Sequence, residues 1–587
     1  MTNLDLERIP FSVAGSFLKV VKADTGRLMI ADARAHPRLK VGARQWTQDF
    51  VQLAIFATSG KRSREIPYAW EASPWEVRLL FEGGEGRLAF VDEETVGISV
   101  RGAFFKLLPC KSVSVAHRFD ANHFSLHDFH AHCRQIFRAG RGTRLETRQS
   151  RTVHGESGPW HDRPYTVSFV GKDGAEGAFR VSRQCEVWLD SPPAIAKGAA
   201  RTRSAYRAFA AKRPPAPKRF EEPATFAWYL LWQLQVPAEG RLTRPALYMS
   251  KRWMNKVWGW DNCFNALALA KADLGLALDQ LRLFFDAQDP SGAFADSITN
   301  LDVQYAYAKP PVFGWTVEKL LAKTGKKALL PFFGEAYEPL CRNTEWWFAY
   351  RDHNGNGFPV YLHGIDSGWD NASVFDAGLP LEGADLAAFL VKQMEVLSEM
   401  AAALGKRGEA ARWAERSQAL LDKLLARRVK GNRFFSAQEG KERAKPVNCL
   451  LNRVPLILGK RLPEPVRCCC AKDLRPSGPF LTDYGPATQP PTSNLYQEDG
   501  YWRGPIWAPA VYEIVDGLIA CEREKLAAEI ADRFCRACAR DGYMWENYNA
   551  LTGEGNRCPG YSWTAAVFVL LCEWLAGREA ATHADGP

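Results

Sequence analysis

LAAFLVKQMEVLSEMAAALGKRGEAARWAERSQALLDKL, residues 386–424, is the stretch on which the fold turns. Leu386, Phe389, Leu390, Met394, Leu397 and Leu404 recur at helical spacing and mark one apolar face, which Gly405 stops. A second face follows almost at once through Ala410, Trp413, Leu420 and Leu424, so the two helices make an αα-hairpin. Similar candidates lie near 224–237, 261–271, 274–287, 311–323, 327–350, 447–459, 503–519, 522–539 and 561–576. Roughly a dozen helices in roughly 360 residues, with almost no strand signal, fit six hairpins closed into an (α/α)6 barrel. An open helical solenoid would show a fixed repeat of about 34 or 40-odd residues; none is visible, and the loops vary in length.

Upstream the period changes from helical to alternating. Tyr165, Val167 and Phe169 alternate with Thr166, Ser168 and Val170, and Gly171-Lys172-Asp173-Gly174 supplies a turn. Further strand candidates are Phe17–Val21, Val77–Phe81, Arg87–Val91 and Phe104–Leu108. The expected fold is therefore mainly α: a β-sandwich over 1–190, a basic Pro-rich connector over 191–223 with a short helix around Arg203–Ala211, and an (α/α)6 barrel over 224–580. The sandwich is expected to contribute wall, and the barrel to supply the catalytic carboxylates.

The chain has 587 residues, 46% hydrophobic and 24% charged, the balance of a folded protein of two or three units. Its formal charge is +10, but residues 191–219 carry eight Lys and Arg and no Asp or Glu. A charge so concentrated argues against a nucleic-acid footprint. No apolar run is long enough to span a bilayer, so no membrane partner is expected. Met1–Glu7 lacks a basic segment followed by an apolar core; no signal peptide is expected, and the cytoplasm is the expected compartment. The fourteen cysteines are scattered, and Cys535 and Cys538 read as buried thiols on a helix rather than a metal or redox pair.

Fifteen of the 20 tryptophans follow residue 222, many beside carboxylates and glycines. They sit in Trp258-Gly259-Trp260-Asp261-Asn262, Ser367-Gly368-Trp369-Asp370-Asn371, Tyr501-Trp502-Arg503-Gly504-Pro505-Ile506-Trp507 and Met544-Trp545-Glu546-Asn547-Tyr548. Aromatic faces pack on sugar C–H surfaces while carboxylates, amides and Arg take hydroxyls, so four such loops point to a carbohydrate cleft; the bland alternative is the core of a large helical domain. Glycoside cleavage needs one carboxyl to protonate the leaving oxygen and another to activate water or attack carbon. Asp370 and Glu546 fit best, each between an aromatic residue and an Asn; Asp261, Asp366 and Asp296 are further candidates that spacing alone does not rank.

These segments resemble glycoside hydrolase family 63, the group of processing α-glucosidase I, bacterial α-glucosidases, and mannosylglycerate and glucosylglycerate hydrolases. The matching motifs are W-x-W-D at 258–261, S-G-x-D-N at 367–371, Y-W-R-G-P-I-W at 501–507, and W-E-N-Y-N followed by T-G-E-G over 545–555. The resemblance implies an (α/α)6 barrel and hydrolysis with inversion, with an α-glucoside as the leading substrate and glycerate glycosides as the alternative. It makes Asp370 the general acid and Glu546 the general base. It places Asp261 on sugar hydroxyls, with Arg503 and Trp507 in the same pocket, and the aromatic residues Trp258, Trp260, Trp369, Tyr501, Trp545 and Tyr548 around the substrate. The expected partner is an oligosaccharide or small glycoside. A carbohydrate-binding protein that has lost catalysis and a phosphorylase are the competing classes.

The chain departs from that pattern. Asp366 stands where the family commonly has Glu, Ala372-Ser373 where Ser-Pro is common, and Lys309 where many relatives have Gln before Pro310-Pro311. Lys309 reads either as a partner for a substrate anion or as a solvated helix-start residue. The chemistry requires no cofactor. Asp352, Asn354 and Asn356, followed by Gly357, match the opening of a structural calcium loop whose twelfth position is His363 instead of Glu; the alternative is an Asn/Gly turn.

Overall fold

The computed structural model describes residues 3–34, 48–59, 62–110, 115–128, 133–149, 165–183, 194–441 and 447–584. Pro192 and Pro193, part of the expected connector, lie outside them. The chain divides into two compact units. One takes the chain up to Lys212 together with Trp232–Pro237 and Ser250–Asn255; the other takes Arg213–Leu231, Ala238–Met249 and Lys256 onward.

The first unit is built from two antiparallel sheets. One runs in the order Leu18–Lys22, Leu28–Asp32, Gln48–Ser59, Phe104–Pro109, Tyr165–Gly171, Thr143–Gln149, with Arg62–Ile66 pairing on Gln48–Ser59. The other runs Val115–Asp120, His123–Asp128, Cys133–Ala139, Gly174–Ser182, Thr95–Arg101, Gly84–Asp92, Val77–Phe81, Tyr68–Ala72. Period-2 patterning decides which side chains turn inward: Val167 and Phe169 are buried, and Phe50 of the first sheet meets Phe179 of the second at 6.0 Å. At 177 only glycine fits, because a Cβ there would lie 2.2 Å from the Phe169 ring.

The stretch read as a connector is largely helical. Helix α1, Ile195–Ala210, lays Ile195 and Ala199 against Ala89 and Val91, so its basic residues decorate a packed helix. The unit also claims two segments from beyond the change of period. The ammonium of Lys251 is fully buried and donates to Ser12 Oγ and to the carbonyls of Val13, Gln233 and Gln235. A buried cation needs such acceptors, and they tie 233–235 and 251 to the N-terminal residues.

The second unit is helical: α2 Glu221–Gln233 (its last residues shared with the first unit), α3 Asp261–Leu269, α4 Leu274–Asp286, α5 Phe313–Thr324, α6 Lys326–Tyr350, α7 Ala384–Ala403, α8 Arg407–Arg428, α9 Glu464–Asp473, α10 Ala508–Ala520, α11 Glu524–Ala539 and α12 Ser562–Ala584. The hairpin of 386–424 is α7 and α8, with Leu386, Leu390, Met394 and Leu397 buried against Trp413, Leu420 and Leu424. Residues 450–461, expected as an ordinary helix, form a 3-10 segment with Pro455 inside and Gly459 at φ 56°. The neighbours close on themselves: α3 packs on α5, α5 on α7, α7 on the 3-10 segment, that segment on α10, α10 on α12, and α12 on α3. Among the described residues no helix is long and apolar enough to cross a membrane.

Candidate active site

The four aromatic–carboxylate loops all lead into the N-terminal ends of helices. Asp261 opens α3; the 364–371 loop precedes α7; Tyr501–Trp507 precedes α10; and Trp545–Tyr548 lies ahead of α12. Hydrogen bonds fix these loops to one another. Asn371 donates through Nδ2 to the Gly500 carbonyl (3.0 Å) and accepts from the Trp502 amide (2.9 Å), which joins the Asp370 loop to the Tyr501 loop. Ile506 and Tyr548 exchange backbone bonds at 2.8 and 3.0 Å, and the Glu546 amide donates to the Cys558 carbonyl at 2.8 Å. Gly364 allows the tight turn that presents Asp370, because a Cβ there would lie 1.9 Å from the Asp370 carbonyl.

Three carboxyls converge. Burial pushes Asp261 well above the usual carboxylate range; Lys309 pulls it down, and Asp370 and Asp296 raise it further. Burial also raises Asp370, against Lys309 and a hydrogen bond donated by the Tyr501 hydroxyl. Burial raises Glu546 to about 7, against Arg557, with Asp370 adding repulsion. Tyr561, immediately before α12, feels both Asp261 and Glu546. Asp370 and Glu546, 176 residues apart in sequence, therefore share one electrostatic environment.

The aromatic residues divide into two groups. Trp260, Trp369, Trp507 and Tyr548 are buried; with Trp502 and Trp563 the first three make a floor in which Trp502 stacks on Trp507 at 4.1 Å and on Trp369 at 4.8 Å. Trp260 meets Trp502 at 6.0 Å and Trp563 at 5.7 Å, and Gly368 (φ 75°) clears its ring, which a Cβ would approach to 2.6 Å. These indoles are nearly fully buried, as are Asp261 and Glu546. Trp258, Tyr501 and Trp545 remain partly exposed. Arg503 is also committed: its guanidinium grips Asp376, 2.8 Å on one arm, and the Asn371 carbonyl at 2.9 Å, so it braces the Asp370 loop.

Lys309 is not a solvated helix-start residue. It is 7% exposed, pairs with Asp296 at 2.9 Å and donates to the Ile365 carbonyl at 2.9 Å. Asp366 is buried and structural, accepting from the amides of Ala308, Leu362 and His363 at 2.9–3.1 Å and pairing with Arg351 at 3.4 Å. In the 352–357 loop, Asp352 accepts from the Gly357 amide, Asn354 from the Asn356 amide and Asn356 from the Phe358 amide. Lys423 puts its ammonium on the Asn356 carbonyl at 2.8 Å, and Asn356 Nδ2 donates to Glu382. A lysine at the carbonyl and a single loop carboxylate do not suit a calcium cage. Sequence reasoning passed over Arg557 and Tyr561; their signal was position, in the T-G-E-G run after Glu546 and at the start of α12.

Buried carboxyls with raised proton affinity beside an aromatic cluster make a candidate acid–base site. Residues 254–564 match the mannosylglycerate hydrolase MGH1-like glycoside hydrolase domain. Mannosylglycerate hydrolase MGH1 of Selaginella moellendorffii is 22% identical over 406 residues, 54% of this chain and 80% of that one. Among solved structures, the GH63 mannosylglycerate hydrolase from Thermus thermophilus, in complex with Tris and D-glycerate, gives a TM-score of 0.52 at 19% identity, covering 60% of this chain and 99% of that one. A bacterial glucoamylase complexed with acarbose gives 0.59 at 9% identity over 98% of this chain and 95% of that one. The protein is a glycoside hydrolase. It belongs to the MGH1-like, family 63-like group of these enzymes.

Proposed function

We propose that the protein hydrolyses an α-glycosidic bond with inversion, and that its helical unit is an (α/α)6 barrel preceded by a β-sandwich. The cyclic order of helix neighbours and the fold likeness to glucoamylase over nearly the whole chain support that architecture. One observation carries the chemistry: Asp261, Asp370 and Glu546, from three loops, meet in one buried field with Lys309, Tyr501 and Arg557 around them. Asp370 protonates the leaving oxygen, Glu546 activates water, and Asp261 holds hydroxyls of the cleaved sugar. A base that releases its proton near pH 7 is matched to neutral operation. No cofactor is needed for this chemistry, and the 352–357 loop serves as a turn fixed by Lys423.

The names of the relatives favour a small glycerate glycoside, mannosylglycerate or glucosylglycerate, over the longer α-glucosides that the motifs also admit. Intact carboxyls argue against a binding protein that has lost catalysis. A screen of α-glucosides, α-mannosides and glycerate glycosides, with NMR detection of the first-formed anomer, tests substrate and stereochemistry together: the β anomer first supports inversion, the α anomer first rejects it. α-Glucosyl fluoride, whose leaving group needs no proton, separates the roles. Asp370→Asn should retain fluoride hydrolysis and Glu546→Gln should lose it; the reverse pattern would exchange the two assignments.

A further inference from the structure

Lys309 occupies a point where three loops meet. Its ammonium lies 2.9 Å from Asp296, in the loop after α4, and 2.9 Å from the Ile365 carbonyl, in the loop that carries Asp370. The Asp296 carbonyl in turn accepts from the Gly259 amide at 2.9 Å, inside the W-x-W-D loop that ends in Asp261. The neighbouring Ala308 amide is held by Asp366, which also caps Leu362 and His363. One buried cation thus touches, directly or through one bond, the segments bearing Asp261, Asp296 and Asp370.

The charges around this point are unequal. Asp261 faces it from the start of α3, Asp296 from the loop after α4, and Asp370 from the loop before α7. Asp366, in the same loop, has its own cation in Arg351. From the α10 side Tyr501 donates to Asp370, and from the α12 side Glu546 is answered by Arg557. Lys309 is the largest opposing charge on both Asp261 and Asp370, and Asp296 draws it back.

We infer that Lys309 is a positioning residue of the hydrolytic centre: it pins the Asp296 and Asp370 loops together and sets the field in which Asp261 and Asp370 hold their protons, instead of receiving an anionic substrate. The inference rests on Asp370 being one of the two working carboxyls. It gives a physical role to a residue at which this chain departs from the common Gln. A neutral amide in that place would hold the backbone carbonyl but supply no charge, so the substitution changes proton affinity more than geometry.

The test is a set of pH–rate profiles for the wild type, Lys309→Gln, Lys309→Arg and Asp296→Asn, on whichever of mannosylglycerate, glucosylglycerate and maltose is cleaved fastest. Removing the cation should move the Asp370 limb to higher pH by about one unit, the lower end of the effect of one nearby opposite charge. Asp296→Asn, which frees the ammonium, should move the same limb to lower pH; Lys309→Arg should leave it in place. A merely structural role would lower rate or melting temperature without shifts of opposite sign. Profiles that superimpose would overturn the inference. So would a rise in KM confined to the glycerate glycosides with both limbs unmoved, since Lys309 would then be a substrate contact. If Lys309→Gln does not fold, Lys309→Met takes its place with the same expected shift, because Asp296→Asn also removes a charge that acts on Asp370 directly. Full turnover in Asp370→Asn would instead remove the carboxyl assignment beneath the proposal.

Discussion

The two ends of the helices in the second unit treat buried charge in opposite ways. At the N-terminal ends, Asp261, Asp296, Asp370 and Glu546 face Lys309 and Arg557, and Arg557 also pairs with Asp499 at 2.8 Å. Past the end of α3, in the C-terminal halves of α5 and α10 and at the middle of α12, acid meets base directly: Lys319 with Asp516 at 2.7 Å, Lys271 with Glu573 at 2.8 Å and Lys323 with Glu573 at 2.5 Å. Burial would raise Glu573, but Lys323 and Lys271 outweigh it and hold it below the usual carboxylate range. Burial also acts on Glu546, and there the carboxyl goes up to about 7. The contrast shows that burial raises a carboxyl only where no cation outweighs it. A cavity of about 870 Å³ opens at the compensated end, lined by Tyr512, Trp574 and these ion pairs.

The largest effects should come from breaking the uncompensated end. Asp370→Asn and Glu546→Gln should each lower kcat on the natural substrate by roughly 10²–10⁴-fold while the fold persists; near wild-type turnover in either would take that residue out of the mechanism. Asp261→Ala should cost roughly 10- to 100-fold in kcat/KM, the value of a charge-assisted hydrogen bond of about 1.5–3 kcal/mol, with kcat lowered as well as KM raised. Unchanged kinetics would make Asp261 structural.

The next effect is on stability. Glu546 holds its proton up to about 7 when folded, against 4.5 for an ordinary Glu, so between those values the folded state binds more protons and stability falls as pH rises. Glu546→Gln should therefore be more stable than wild type by roughly 3 kcal/mol above pH 7, with the gap closing towards pH 4.5. Melting curves across that range test it, and a gap independent of pH would contradict the raised affinity. The smallest effect belongs to the other end. Lys319→Met leaves Asp516 with the Trp315 indole as its remaining partner, at 2.8 Å. It should cost about 1–3 kcal/mol of stability and leave kcat untouched.

Much of this was legible beforehand. Hydrophobic spacing located α3 to α8 and α10 to α12 within a few residues, and the strand candidates fall on observed strands. Helix α9 has no sequence signal because Cys468-Cys469-Cys470 carries no clear apolar period, and of α1 only the part near Arg203–Ala211 is legible, because prolines and basic residues flank it. In the site, motifs brought the right loops together but gave no direction to the side chains. Trp260, Trp369 and Trp507 sit beside glycines and carboxylates in sequence, and no local pattern shows that their rings gather in one buried cluster. The solvated reading of Lys309 fails because its partners lie 13 residues before it and 56 after it, beyond any local pattern.

That floor has an optical consequence. Trp502 holds its indole 4.8 Å from Trp369 and 6.0 Å from Trp260, at skewed angles of 30° and 41°, while it lies nearly parallel to Trp507, at 7°. Excitation shared among rings so close, on the loops that carry Asp261, Asp370 and Tyr501, contributes to the near-ultraviolet circular dichroism. Loosening of the Asp370 or Tyr501 loop would register in that band while far-ultraviolet helicity stayed constant. The protein thus carries an intrinsic chromophore tuned to the state of its own catalytic mouth.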